Sequence, residues 1–424
     1  MTMNFFSFQR IHSLLQNLRD PLFRNSFYIS LSRYSEIGFG FVFWLVAAHY
    51  YTIGDVGEAT AIISSLGLVL LLSRFGFDVS QIRFMTDYEK EAVFNSCLWI
   101  PAIGSIIIGG IYFIFLRYTT PASAFIHGYF FLFIGISFLS SITLTISYAF
   151  MSFGRAEYRF IQNLVLGVRI PIIFFLVSLG SIGIFLSFGI AYLLTAIFAA
   201  VLIVKFVPLR FKIDKKFTRE TFRFTVLSYF SSILYSGPVL IMPLMILSVS
   251  SSSNAALYYI AFAFGSLIMI IPEAIGTSFF VEGSHGAPVK KGIIRAFTVT
   301  CFILVPAIIV IWFFGENVLQ WLGKDYTGAL DLLRIFILSA FFGTIYQLFI
   351  VLETIRLDPV LVFKFSLFRA ILLITLSYIF LVQYGIIGVA WAWMITHAIL
   401  CIFVIWFLRT HVMNEVRRHS TISE

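Results

Sequence analysis

Charge is scarce in this sequence. Only 12% of its 424 residues are Asp, Glu, Lys or Arg, where an ordinary soluble domain carries about a quarter. No stretch is both long and polar enough to build a soluble core of its own. Cysteine is scarcer still: Cys97, Cys301 and Cys401 lie singly inside apolar runs. With no CxxC or other ligand spacing, they read as small buried hydrophobes and not as a metal site or a disulfide framework. The signatures of several chemistries are missing as well. There is no GxxxxGK[ST] loop, so the chain itself carries no P-loop for ATP. HExxH, DxD and GxSxG are absent too, and external loops are too short for a glycosyltransferase or polymerase that works outside the bilayer.

What the chain does have is hydrophobic mass. Apolar residues make up 60% of it and aromatic residues 18%. A helix needs about 20 apolar residues to cross hydrocarbon. Runs of that kind fall at Phe27–Tyr51, Val56–Phe77, Ala92–Leu116, Phe125–Met151, Phe160–Leu179 and Ile184–Val207. Six more follow at Thr221–Val249, Ala255–Val281, Gly292–Phe314, Leu330–Ile355, Pro359–Val382 and Ile386–Phe407. The expected fold is therefore all-α and integral to the membrane, with about twelve crossings. Pro171, Pro238, Pro243, Pro272 and Pro306 fall inside these runs and predict kinks. Ahead of them, Phe5, Phe8, Ile11, Leu15 and Leu18 share one helical face. This suits an interfacial helix over residues 1–24 and not a secretory signal.

The net charge of +9 is a topology signal and not a nucleic-acid footprint, because the cations sit in alternate loops. One side collects Arg83, Lys90, Arg155, Arg159, the run from Lys205 to Arg219, Lys290, Lys291, Arg295, Arg356 and the basic C-terminal tail. The other holds only Arg117 and Lys324. The positive-inside rule then places both termini in the cytosol of a plasma-membrane protein and requires an even number of crossings.

The chain also repeats. A shift of about 200 residues lays the first six runs over the second six. Arg24 falls on Arg223, Thr60, Gly67 and Arg74 on Tyr259, Ser266 and Glu273, and Arg169 on Arg369 to within a residue. Five regions follow: residues 1–24, a six-helix bundle over 25–207, a basic linker over 208–219, a second bundle over 220–408 and a tail over 409–424. Two such bundles in one orientation would be pseudo-symmetric about a central cleft.

Charges that lipid would not tolerate are the candidate site. A charge at the bilayer centre costs about 3 kcal/mol on insertion scales. Arg33, Arg169 and Arg369 lie well inside their helices, with Arg74 and Glu273 nearer an end. Arg33 and Glu36, three apart, share a helical face and can pair; a purely structural ion pair is an equal reading. Arg74 could also snorkel, and Arg169 and Arg369 could bond backbone freed by a kink. Taken as a set they lean basic, which suits an anionic, phosphate-bearing cargo, since the arginine fork matches phosphate. Glu273, beside Pro272, could hold a coupling proton or sodium ion, or neutralise an arginine. No other cofactor and no metal is expected.

Several stretches resemble the polysaccharide-biosynthesis flippases. They are Arg24-Asn25-Ser26-Phe27-Tyr28, Gly38 to Ala48 (GFGFVFWLVAA), Asp55 to Ala61 (DVGEATA), Ile63 to Leu68, Leu72-Ser73-Arg74-Phe75-Gly76, Ile82-Arg83-Phe84 and Phe280 to His285. The resemblance implies the superfamily of flippases and multidrug antiporters: two six-helix bundles, alternating access and frequent ion coupling. It implies a lipid-linked oligosaccharide on a polyprenyl phosphate or pyrophosphate as substrate, with membrane lipid and glycan-assembly enzymes as further partners and no nucleic acid. The alternatives are a multidrug or small-cation antiporter of the same fold, which would want acidic cavity residues, and more remotely a membrane glycosyltransferase, a polymerase or a scaffold.

Overall fold

The computed structural model describes residues 21–119, 129–284, 289–356 and 358–422. Most of the interfacial helix expected over residues 1–24 lies outside them. Among the described residues the chain is helical almost throughout, and the helices are those the apolar runs predict, with longer ends and two breaks.

The first compact unit comprises residues up to Thr52 and from Ile62 to Ser236. It begins with α1 (Pro21–Tyr50), whose opening proline lacks only an N–H that the first turn leaves unused. The next helices are α2 (Ile53–Ser73), the short α3 (Phe77–Phe84), α4 (Lys90–Thr119) and α5 (Phe130–Ser152). Then come α6 (Ala156–Leu166), α7 (Arg169–Phe175), a 3-10 turn at Val177–Leu179 and α8 (Ser181–Ile203). The unit ends within α9 (Lys215–Val249).

The second unit, residues 53–61 and 237–424, takes the first turns of α2 and the rest of α9. It continues with α10 (Ser252–Ser284), α11 (Val289–Leu322), a 3-10 turn at Lys324–Ala329, α12 (Leu330–Ile355), α13 (Pro359–Tyr384) and α14 (Ile386–Ile422). Asp358 caps α13 by accepting the Leu361 N–H, with Pro359 behind it, the pairing that favours a sharp helix start.

Among the described residues, eleven helical segments are long and apolar enough to cross a membrane. They include every expected run except α1, whose 30 residues nevertheless give it ample length. Where the helices face outward they present hydrocarbon: on α11, Phe302 is 81% exposed and Phe313 72%. A surface of that kind suits lipid and not water.

Two expected spans are corrected. Phe160–Leu179 is not one helix but α6, α7 and the 3-10 turn. Pro171 has no N–H for the Gly167 carbonyl, and its ring crowds that carbonyl, so the helix breaks just before it. The Gly167 carbonyl accepts the Ile170 N–H at 3.0 Å instead, and at the end of α7 the Tyr51 hydroxyl donates to the Ile173 carbonyl at 2.8 Å. Pro238, Pro243, Pro272 and Pro306 lie inside helices that run on through them. Likewise, Val56–Phe77 ends early. Phe75 (φ 49°) and Gly76 (φ 83°) turn left-handed, ending α2 at Ser73 and starting α3.

Polar side chains on adjacent helices fix α1 to α6. Asn25 accepts the Ala156 N–H at 2.9 Å, capping α6, and Asn163 donates to the Ser32 carbonyl at 3.0 Å. Below them an apolar cluster of Phe77, Val93, Phe94, Leu98, Ile146, Phe150, Ile203 and Phe217 joins α3, α4, α5, α8 and the start of α9. In the second unit Tyr258, Phe262, Phe336 and Trp393 interlock, with ring centroids 5.4–6.1 Å apart.

Gly76 is a test of this packing. A Cβ there would lie 2.1 Å from the Thr225 carbonyl oxygen, on a backbone that also disfavours any side chain. Gly76→Ala should lower the unfolding temperature in detergent clearly, whereas Gly38→Ala, which meets open space, should leave it unchanged or raise it slightly. Equal behaviour of the two variants would contradict the close approach.

Candidate functional site

The left-handed turn at Phe75–Gly76 does more than end a helix. It folds α3 back so that Asp78 meets Arg74, with Nη1 donating to Oδ2 at 3.1 Å. The Arg74 Nε donates to the Leu70 carbonyl at 3.2 Å, and Nη1 also reaches the Tyr148 hydroxyl on α5 at 3.4 Å. The other side of Tyr148 carries a second arginine: the Arg159 guanidinium on α6 lies over its ring, 5.7 Å from the centroid. Arg159 also contacts the Met151 sulfur and reaches Glu36 on α1 at 3.9 Å. Five side chains from α1, α3, α5, α6 and the end of α2 thus form one partly buried network. Its formal charge balances, with two arginines against two carboxylates.

The sequence-predicted residues are distributed as follows. Arg74 and Glu36 belong to this network. Glu36 finds Arg159, a partner that the Arg33–Glu36 spacing does not suggest. Arg33, one turn earlier on α1, has an exposed side chain.

Arg169 opens α7 and is only 6% exposed. Its guanidinium lies 4.6 Å from the centroid of the Phe188 ring on α8 and 5.5 Å from that of Phe43 on α1. Gly40 of α1 lies beside it, where a Cβ would sit 3.8 Å from Nη2, in ordinary van der Waals contact. Such cation–π contacts are worth about 2 kcal/mol when desolvated. Tyr192, one turn beyond Phe188, lies within electrostatic range of Arg169, Glu36 and Arg74. In the first unit Tyr148 and Tyr192 therefore lie among Arg74, Arg169 and Glu36.

In the second unit Arg369 on α13 is equally buried, at 6% exposure, and lies 5.9 Å from the Tyr346 ring centroid on α12. Tyr346 packs edge-on to His397, whose Nδ1 is 2.8 Å from the Trp393 carbonyl. Glu273 is half-buried on α10, directly after Pro272, and its carbonyl accepts the Thr277 hydroxyl at 2.9 Å. Among the described residues no three His, Cys, Asp or Glu side chains cluster as metal ligands would.

Sequence reasoning misses Asp78, Tyr148, Arg159, Tyr192 and the aromatic rings around Arg169. Only Asp78 had a signal, lying four residues after Arg74.

The fold matches solved structures of one transporter superfamily. The chain is similar to the lipid II flippase MurJ in an inward closed conformation, with TM-score 0.70 and 14% identity over 90% of this chain and 87% of that one. It is also similar to an inward-facing multidrug resistance MATE family transporter of the MOP superfamily, with TM-score 0.65 and 14% identity over 90% and 94%. A MOP superfamily transporter from Pyrococcus furiosus, described as having a binding pocket of reversed polarity, matches with TM-score 0.56 and 15% identity over 94% and 97%. No curated protein matches the sequence. These likenesses show the fold, that of a multi-pass membrane protein. The family model described as polysaccharide biosynthesis protein matches residues 22–281, more than half of the sequence, and the chain belongs to that family.

The Arg74–Asp78 pair makes a stability prediction. Asp78→Ala leaves Arg74 part-buried beside a lost carboxylate and should cost about 3 kcal/mol. The double variant Arg74→Met/Asp78→Leu removes both charges and should recover most of that loss. Thermal unfolding of the purified variants reads the difference; a double variant no more stable than the single one would show that the two side chains are not coupled.

Proposed function

We propose that this protein moves a polyprenyl phosphate- or pyrophosphate-linked oligosaccharide from the cytosolic to the outer leaflet of the plasma membrane, by alternating access. The observation that carries the reading is the membership of the polysaccharide biosynthesis family, joined by arginines buried within the membrane-spanning helices. Each such charge is expensive in lipid, and the arginine fork suits a phosphate diester or pyrophosphate. Both termini and the linker over 208–219 are assigned to the cytosol on the asymmetry of the loop charges.

Among the candidate arginines, Arg33 has an exposed side chain, whereas Arg169 and Arg369 are buried. Losing one charge-assisted contact costs about 1.5–3 kcal/mol, or roughly ten- to a hundredfold in affinity. In proteoliposomes, Arg33→Ala should therefore fold normally and lose most flipping of a lipid-linked oligosaccharide, with Arg33→Lys recovering part. Arg74→Ala separates two roles, because its guanidinium already holds Asp78: loss of stability marks a structural residue, and lost flipping in a stable protein marks a cargo contact.

A multidrug antiporter is the second reading, favoured by the MATE structural likeness. It predicts gradient-driven efflux of organic cations from the same vesicles. Robust cation efflux without lipid flipping would replace the first reading with the second.

A further inference from the structure

Between α8 and α9 the chain has only residues 204–214 in which to pass from one apolar span to the next. It therefore stays near the membrane boundary. From Pro208 to Asp214 it is neither helix nor strand, with one tight turn where the Lys212 N–H donates to the Arg210 carbonyl at 2.9 Å, and one face of α4 holds it there. Asn95 grips it twice, donating to the Pro208 carbonyl at 3.1 Å and accepting the Arg210 N–H at 3.0 Å. Ser96 accepts the Asp214 N–H at 2.8 Å, and the Trp99 indole donates to the Arg210 carbonyl at 2.8 Å. The Arg210 side chain reaches Glu91 at 3.1 Å. Glu91, Asn95, Ser96 and Trp99 lie at i, i+4, i+5 and i+8, so a single helical stripe fixes the strap.

What the strap presents outward is unusual for a loop pinned this firmly. Leu209, Phe211 and Ile213 are exposed, Phe211 to 74%, and they alternate with the cations Arg210 and Lys212. Lys215, Lys216 and Arg219 follow, all exposed. From Leu209 to Arg219 there are five cations and one carboxylate, Asp214. That carboxylate is already engaged, accepting the Phe217 N–H at 2.7 Å as the cap of α9. The lysines do not serve the helix either, since cations in a first turn oppose its dipole. Exposed apolar side chains interleaved with cations beside the membrane match an anionic bilayer surface: hydrocarbon below, phosphate at headgroup level.

We infer that the strap over residues 208–219 is a docking surface for the anionic phospholipids of the leaflet it borders. Phe211, Leu209 and Ile213 enter the upper acyl region while Lys212, Lys215, Lys216 and Arg219 hold headgroup phosphates. Because the strap is tied to α4 and leads directly into α9, bound lipid anchors the start of α9.

The test places a bimane on Ile213→Cys in a Cys301→Ser background, reconstituted in nanodiscs. Brominated phosphatidylglycerol and brominated phosphatidylcholine are compared as quenchers. The brominated anionic lipid should quench more strongly at equal mole fraction, with the preference shrinking in high salt. Each basic residue near a charged surface contributes roughly fivefold, so Lys212→Ser/Lys215→Ser/Lys216→Ser should cut the preference at least about tenfold while quenching persists. If the triple variant unfolds early, Lys212→Ser alone, in the strap and outside α9, replaces it with about a fivefold loss expected. Equal quenching by both lipids, no quenching by either, or a preference that survives these substitutions overturns the proposal. Abolition of quenching by 10 mM inorganic phosphate (roughly a thousandfold excess over protein) would do so in favour of a soluble phosphate ligand.

Discussion

Hydrocarbon offers no hydrogen-bond partner, and this one constraint shapes nearly every feature of the molecule. It makes the described chain helical almost throughout, because a helix satisfies its own backbone. It also dictates what happens where a helix must stop. Where α7 ends, the Tyr51 hydroxyl donates to the Ile173 carbonyl. Where α2 turns into α3, the Tyr229 hydroxyl donates to the Leu72 carbonyl at 3.0 Å. Irregular backbone survives in these places because protein side chains replace the missing water.

The same constraint governs the charges. Arg74 and Arg159 are met by Asp78 and Glu36, with the ring and hydroxyl of Tyr148 between them. Arg169 and Arg369 lie against aromatic rings. A ring face offers a cation electrostatic attraction while remaining apolar toward its other neighbours, so a guanidinium can be kept inside a bundle of phenylalanines. Charge is instead left exposed where the chain meets the boundary, along the strap between α8 and α9.

The spans were legible because twenty-residue apolar runs have few other uses, and hydropathy does not depend on tertiary detail. The Pro171 break was half legible, since proline signals a disturbance but not whether the helix bends or divides. The left-handed pair Phe75–Gly76 was not, because nothing in a Phe-Gly dipeptide sets its dihedral angles without the Thr225 carbonyl packed against it. Arg159 read as one more loop cation; only the approach of α6 to α1 and α5 brings it to Glu36 and Tyr148. The dividing lines between the two compact units, inside α2 and α9, follow from packing that no periodicity announces. Of the contacts in the network, only Arg74–Asp78, one helical turn apart, carried a signal in the chain. Those assembled across helices did not.

The central claim is that arginines buried in the spans are kept for an anionic cargo. Arg169→Met and Arg369→Met test it most directly. Methionine nearly matches the arginine stem and packs well against aromatic rings, so the variants should stay monodisperse with unchanged or higher unfolding temperatures. Flipping of a lipid-linked oligosaccharide by these folded proteins in vesicles should fall at least about tenfold, as loss of a charge-assisted contact requires. Wild-type flipping rates in both folded variants would contradict the account.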